Sequence, residues 1–381
     1  MDPNVYLAAC DTYDSDEVEA AVRRCLDHFG GASALVKPGM RVLVKPNLLM
    51  PQRPESATTT HPSVVIAVAR VFAEAGALVT VAESAGGPYN AALQHLLYRV
   101  CGMDPVADIP GVTLSTDMSI RDAGLPAGKA VTTLPIIAPA LEADFVVTVA
   151  KMKTHGFAYF TGAVKNLFGV VPGLTKAAMH AKFPDPARFA TMLVDLCERI
   201  RPGLSIVDGV VGMEGMGPSA GSPKKAGLLV ASLNPYAADL ACARIMGLDP
   251  DKIPVHVEAV TRGLAPDTPE ELTWSGDAPE RFATFFRPAA NKLPGDRMRA
   301  LPRPVRAWIH RRFSPFPAIL PDCVGCGKCA EICPRQTIEI REGKAAIDYA
   351  DCIKCYCCHE ICPIHTIDPV PARKRPPEGR L

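Results

Sequence analysis

The chain has 381 residues, 48% of them hydrophobic, enough for two or three compact units and too apolar for disorder. Its 41 Lys and Arg against 40 Asp and Glu leave a net charge of +1, which excludes a global pull toward nucleic acid. There is no run of 18 apolar residues, so no spanning helix is expected. Met1–Asp16, with four aspartates and no apolar core, does not read as a secretion signal, so the sequence predicts a cytoplasmic protein.

In chain order, Arg41–Val44 reads as a buried strand stopped by Pro46 in Lys45-Pro-Asn-Leu48. Pro62–Glu74 reads as a helix with Pro at its first turn and Gly76 after its end. Strand Ala77–Ala82, helix Asn90–Val100 and strands Asp144–Ala150, Leu204–Val207 and Gly227–Ala231 follow, then helix Pro235–Met246. Near-continuous apolar strands separated by helices predict an α/β domain over residues 1–286, a mostly parallel sheet covered by helices. Residues 287–318 shift to a basic, Pro-rich linker, with Arg287, Lys292, Arg297, Arg299, Arg303, Arg306, Arg311 and Arg312 against Asp296. A short helix around Val305–Phe313 is expected there. The segment reads as a solvated connector, or as a docking surface for an acidic redox partner or an anionic membrane face, with Trp308 and Phe313 as apolar anchors. The tail, residues 371–381, is basic and expected to be disordered.

Fourteen cysteines in a cytoplasmic chain are not a disulfide framework. Cys10, Cys25, Cys101, Cys197 and Cys242 are scattered and read as small buried hydrophobes. The other nine lie between Cys323 and Cys362, inside a repeat with a period of 29 residues. Cys323-Val-Gly-Cys-Gly-Lys-Cys-Ala-Glu-Ile-Cys-Pro334 aligns with Cys352-Ile-Lys-Cys-Tyr-Cys-Cys-His-Glu-Ile-Cys-Pro363. Each unit is C-x2-C-x2-C-x3-C-P, in which three thiolates wrap one iron–sulfur cluster and the fourth crosses to the other. The spacing assigns Cys323, Cys326, Cys329 and Cys362 to one [4Fe-4S] cluster, and Cys352, Cys355, Cys358 and Cys333 to a second. Zinc ribbons use pairs of cysteines, not a duplicated three-cysteine run closed by Cys-Pro. Residues 319–370 are therefore expected to form a small α+β bacterial-ferredoxin-like domain. Cys357 aligns with Lys328, falls outside the ligand spacing and is given no role beyond that of an exposed thiol beside a cluster. Such clusters span roughly −700 to +450 mV, and all-thiolate ligation points to the low end.

In parallel α/β sheets, ligands sit beyond the carboxyl ends of the strands. Lys151, Lys153, His155, Lys165 and Asn166 gather after the Asp144–Ala150 strand, in Lys151-Met-Lys-Thr-His155 and Ala163-Val-Lys-Asn-Leu-Phe-Gly169. Three ammonium groups amid glycines suit an anionic ligand such as phosphate or carboxylate. Neither a Walker A loop nor G-x-G-x-x-G is present. Lys45 and Asn47 follow another strand, and Glu83 and Ser84 a third. Asp208 and Glu214 follow a fourth, as substrate-positioning or metal-holding carboxylates or as turn residues. His61 and His180 are candidates for proton transfer. His155 is the stronger one, because neighbouring lysines should hold it neutral and able to accept a proton.

Lys45-Pro-Asn-Leu48, Lys151-x-Lys-Thr-His155, Ala163–Gly169 and Asp208-Gly-Val-Val-Gly-Met-Glu-Gly215 resemble the signatures of the iron–sulfur family catalogued as domain of unknown function 362. The resemblance covers about residues 5–265 plus 320–370. It implies a low-potential iron–sulfur protein but names no substrate. A more distant likeness to nickel-pincer racemase domains carries over no catalytic position. The favoured reading is an oxidoreductase. Two clusters would exchange electrons with a redox partner and with an anionic small molecule. Lys45, Asn47, Lys151, Asn166, Asp208 and Glu214 would bind the molecule, and His155, Lys153 and Lys165 would do the chemistry. The alternatives are a non-catalytic carrier or maturation factor that uses the α/β domain for recognition, and an isomerase or lyase with structural clusters. No flavin fingerprint is visible, so a two-electron reaction needs a non-covalent cofactor or stepwise transfer.

Overall fold

The computed structural model describes residues 2–125, 127–289, 305 and 315–370. Most of the basic linker, including Trp308 and Phe313, and the tail 371–381 lie outside the described residues.

Among the described residues eleven strands build the larger domain: β1 (Asn4–Ala9), β2 (Arg41–Pro46), β3 (Leu78–Val81), β4 (Val112–Leu114), β5 (Ile120–Gly124), β6 (Thr133–Ile137), β7 (Phe145–His155), β8 (Tyr159–Thr161), β9 (Leu204–Glu214), β10 (Ser222–Ser232) and β11 (Thr273–Gly276). The main sheet runs β11-β1-β10-β9-β7-β2-β3-β4, with β8 paired to β7, while β5 and β6 form a separate pair. From β9 through β4 the main ladder is parallel. β10 lies antiparallel to both β9 and β1, so the sheet is mixed at one side. Alternate residues feed two cores. Val42, Val44, Val147, Val149 and Ile206 pack with the Ser15–His28 and Pro62–Glu74 helices on one face. Leu43, Val146, Ala150, Met152 and Val207 pack with the Pro186–Ile200 and Pro235–Met246 helices on the other. This is the period-2 pattern of a sheet covered on both sides.

The helix starts have local causes. Asn90 accepts a hydrogen bond from Leu93 N–H, and Asn234 accepts from Tyr236 and Ala237, each capping the helix that follows. Strand ends differ from the sequence reading. β7 continues from Ala150 to His155, and β9 from Val207 to Glu214, so Lys151, Lys153, His155 and Asp208 lie on strands rather than in loops beyond them. Pairing carries the strands past their apolar runs. β8 folds back onto Lys153–His155, and β9 stays in register with β7 through Lys151↔Asp208.

The C-terminal module repeats in its backbone as well as its sequence. Strands β12 (Phe316–Ile319) and β15 (Ile367–Val370) pair antiparallel, as do β13 (Ile338–Arg341) and β14 (Lys344–Ile347). Helices Lys328–Ile332 and Cys357–Ile361 occupy equivalent positions 29 residues apart. Positive φ recurs at Gly325 and Lys354, Gly327 and Tyr356, and Gln336 and His365. Gly325 could not carry a side chain, since a Cβ would fall 2.3 Å from the Gly343 carbonyl. In the second unit, where no glycine is present, the Tyr356 hydroxyl donates to Pro315 O at 2.9 Å and the Lys354 ammonium lies 3.6 Å from the Phe316 ring centre.

Candidate functional site

Two cavities in the C-terminal module are lined by cysteines. One is bounded by Cys323, Cys326, Cys329 and Cys362, the other by Cys333, Cys352, Cys355 and Cys358. Backbone N–H groups point at sulfur: Thr337 to Cys333 at 3.4 Å, Ala345 to Cys323 at 3.4 Å and Thr366 to Cys362 at 3.3 Å. Four sulfurs around a cavity, with amide donors aimed at them, fit an iron–sulfur cluster. Cys357 also lines the second cavity. Rather than standing exposed, as the sequence reading had it, Cys357 is buried with Met50, Ala177, Ile332 and Ile361 in the seam between module and α/β domain.

Beside that seam lie Lys153 and Lys165 of the larger domain, on which Glu360 of the module acts. Lys151, side by side with Asp208 in the β7–β9 ladder, donates to Asp208 Oδ2 at 2.9 Å and to the Tyr13 hydroxyl at 2.7 Å, and both charges are fully buried. Tyr13 in turn donates to Asp208 Oδ1 at 2.8 Å, and His61 N–H donates to Oδ2 at 3.0 Å. Lys45 donates to Glu83 Oε2 at 2.5 Å, to Pro46 O at 2.8 Å and to Asn166 Oδ1 at 3.2 Å. The Asn166 amide donates to Lys45 O and to Thr148 Oγ1. A Cβ on Gly169 would fall 1.9 Å from Glu83 Oε1, which accounts for the glycine that ends the Ala163–Gly169 signature. Glu214 accepts from Arg287 N–H at 3.0 Å and from its Nε at 2.7 Å. Lys45, Lys151, Asn166, Asp208 and Glu214, read from the sequence as ligand-binding, are therefore bonded within the protein, to one another, to the backbone or to the Glu83, Tyr13, Thr148 and Arg287 side chains. His61 stacks on Tyr13 with ring centres 3.6 Å apart, and burial pushes it down to about 4.

Lys153, His155 and Lys165 are arranged differently. Lys153 donates to Asn47 Oδ1 and Thr58 O, both at 2.7 Å, and meets no carboxylate there. Burial, then Lys165 and Lys151, hold its ammonium well below the usual lysine range. The Lys165 side chain makes no hydrogen bond or ion pair among the described residues. Burial lowers its pKa, opposed by the Glu360 carboxylate and the Cys357 thiol. His155 Nδ1 accepts from Phe157 N–H at 3.0 Å and Ala158 N–H at 3.2 Å, so the neutral ring carries its proton on Nε2. That nitrogen lies 3.5 Å from Glu360 Oε1 and has no hydrogen-bond partner. With the Nδ1 lone pair occupied, His155 turns its Nε2 N–H toward Glu360. His180 stacks on Phe189 at 4.4 Å, its Nδ1 is unpartnered, and burial beside Lys165 pushes it down to about 3.

Glu360 and Lys176 were not singled out in the sequence. Glu360 comes from the second iron–sulfur helix, and its backbone carbonyl accepts from Ser219 Oγ at 2.8 Å. Gln52 Nε2 donates to Pro363 O at 3.3 Å. Lys176 bonds Ser84 and the Ala85 carbonyl, and burial pushes it down to about 7. Lys176 follows the Ala163–Gly169 signature by seven residues, a proximity that could have flagged it. Glu360 could only be found once the two domains were seen in contact.

Fold and site define an α/β protein whose unpaired lysine faces a ferredoxin-type module. Residues 42–244 match the family described as Domain of unknown function (DUF362), and residues 322–366 match a 4Fe-4S dicluster domain. The chain belongs to the DUF362 family and is an iron–sulfur protein. It is 37% identical over 279 residues to the thylakoid-associated protein sll1697 of Synechocystis, a match covering 72% of this chain and 84% of that one. Among solved structures it is similar to the lactate racemase apoprotein of Thermoanaerobacterium thermosaccharolyticum (TM-score 0.42, 15% identity, 64% of this chain and 57% of that chain). It is also similar to a structural-genomics protein of Thermotoga maritima (TM-score 0.38, 12% identity, 63% of this chain and 60% of that chain). The chain thus spans less than two thirds of either solved structure. No helix among the described residues is long and apolar enough to cross a membrane.

Proposed function

We propose that the chain is an oxidoreductase in which two [4Fe-4S] clusters, held by Cys323, Cys326, Cys329 and Cys362 and by Cys352, Cys355, Cys358 and Cys333, exchange electrons with an anionic small molecule bound at Lys165. What carries this reading is the grouping of Lys165, His155, His180 and Glu360, which act on one another and are taken to enclose a chamber. An unpaired ammonium, an imidazole N–H and an orphaned imidazole nitrogen lie together under the helix that bears Cys358. A bare carrier does not require such a chamber. The clusters supply one-electron steps at low potential. Lys165 attracts and orients the anion, assisted by Lys153 held on Asn47. His155 Nε2–H donates a hydrogen bond to it, and Glu360 fixes the direction of that N–H. The apolar seam of Met50, Ala177, Ile332, Cys357 and Ile361 keeps water from the space between cluster and anion.

In this reading residues 1–286 form the substrate domain, 287–318 the linker and 319–370 the electron-handling domain. The protein works in the cytoplasm. Any attachment to a membrane surface, as the description of the Synechocystis relative suggests for that protein, runs through the basic linker.

The test is anaerobic purification of the unaltered protein and of Lys165→Met, followed by extraction and mass spectrometry of bound small anions. The unaltered protein should carry an anion that Lys165→Met has lost, with equal iron content. An equal anion complement in both, or activity indifferent to Lys165, would remove the chamber from the reaction.

A further inference from the structure

The two cluster cavities face different surroundings. The first is lined not only by Cys323, Cys326, Cys329 and Cys362 but by Val324, Ile340 and Ile364, which are 65%, 40% and 45% exposed. Cys326 is exposed as well. Single apolar side chains on a surface need no explanation, but three around one cavity do. They are the large exposed hydrophobics of residues 315–370. The second cavity has no such rim. The residue 29 places after Val324 is Ile353, which is only half-buried. The residue 29 places before Ile364 is Arg335, whose guanidinium lies 3.8 Å from Asp351. Cys355 and Cys357 turn the second cavity toward the seam and Lys165. One cavity thus carries an exposed apolar rim, and the other adjoins the seam with the α/β domain.

We infer that Val324, Ile340 and Ile364 form the docking port for a small one-electron carrier protein, which exchanges electrons through the first cluster while the second serves the chamber. This rests on the two-cluster reading given above. Weak redox encounters use small interfaces with an apolar centre and a polar surround. Asp322, Glu342, Lys328 and Arg341 stand near the rim in both signs, so the partner is recognised by an apolar edge around its own cofactor rather than by a large charge of one sign. In each encounter the reduced carrier loses one electron and an oxidised cluster gains it, with no bond made or broken.

The test is anaerobic stopped-flow mixing of the oxidised protein with a purified two-cluster ferredoxin, reduced beforehand with dithionite and freed of it. Reduced methyl viologen serves as the small reductant. Val324→Asp with Ile364→Asp should slow reduction by the ferredoxin at least tenfold and leave the viologen rate and iron content unchanged. The milder Ile364→Ser should slow the ferredoxin reaction by a smaller factor, and Ile353→Asp at the second cavity should not slow it. The unaltered protein should react with a rate that changes little with salt. An unchanged ferredoxin rate in the double variant overturns the port. So does equal slowing with both reductants, or self-association in sedimentation that the same substitutions abolish. Absence of iron from the unaltered protein would sink the cluster reading itself, a separate result.

Discussion

Lys45 and Lys151 each direct a buried ammonium at a buried carboxylate, at 2.5 Å and 2.9 Å, whereas Lys153 bonds only an amide and a carbonyl oxygen and the Lys165 ammonium makes no hydrogen bond or ion pair among the described residues. All four belong to the same signatures and lie in the same part of the fold. What separates them is direct contact: Glu83 and Asp208 touch their lysines, whereas Glu360, the carboxylate that acts on Lys153 and Lys165, makes no ion pair with either. A paired buried charge holds strands in register, and an unpaired one is a standing demand for an anion. Function should therefore be sought where the pairing stops.

This contrast can be broken most forcefully at Asp208. Removing it as Asp208→Ala leaves Lys151 buried without a counter-charge, and should cost about 3–5 kcal/mol of stability in urea unfolding. A loss under about 1 kcal/mol would show that the pair is not structural. Next, Gly169→Ala puts a methyl against Glu83 and Lys45 and should cost about 1–3 kcal/mol. A neutral result would mean that the Lys45–Glu83 pair can shift at little cost.

The histidines give a pH test. His180 is held at about 3 in the folded protein, against about 6.5 when unfolded. Between those values the unfolded chain binds a proton that the folded one refuses. The stability associated with His180 is thus fully present above pH 6.5 and falls by about 1.4 kcal/mol per unit as pH drops toward 3. His180→Phe should flatten that slope in thermal melts between pH 6.5 and 4. An unaltered slope would place the proton uptake elsewhere. The smallest effect on stability belongs to Lys165→Met, which breaks no hydrogen bond or ion pair, Glu360 acting on Lys165 without direct contact, and should change unfolding by less than about 1 kcal/mol. A loss as large as that of Asp208→Ala would put Lys165 among the structural pairs and end the comparison.

Much of this was legible in the sequence. The 29-residue repeat announced the module because ligand geometry fixes cysteine spacing, and that constraint is local in the chain. The α/β domain was legible from its apolar runs, and the Pro62–Glu74 and Pro235–Met246 helices have the ends their Pro and capping residues indicate. The ends of β7 and β9 were not, because Lys151 and Asp208 are polar residues buried as a pair, and hydrophobic patterning cannot distinguish a paired strand lysine from a loop lysine. For the same reason six ligand-binding residues were expected where most serve one another. The tautomer of His155 depends on two backbone N–H groups of the turn that follows it, and the approach of Glu360 depends on the docking of two domains. Neither is encoded in a spacing.

The central claim is that this family's α/β domain here sits against two clusters. Iron and acid-labile sulfide determination on anaerobically purified protein tests it most directly. The account predicts about eight irons and about eight sulfides per chain, with the electron paramagnetic resonance of reduced [4Fe-4S] centres. About four irons, or zinc in place of iron, would contradict it.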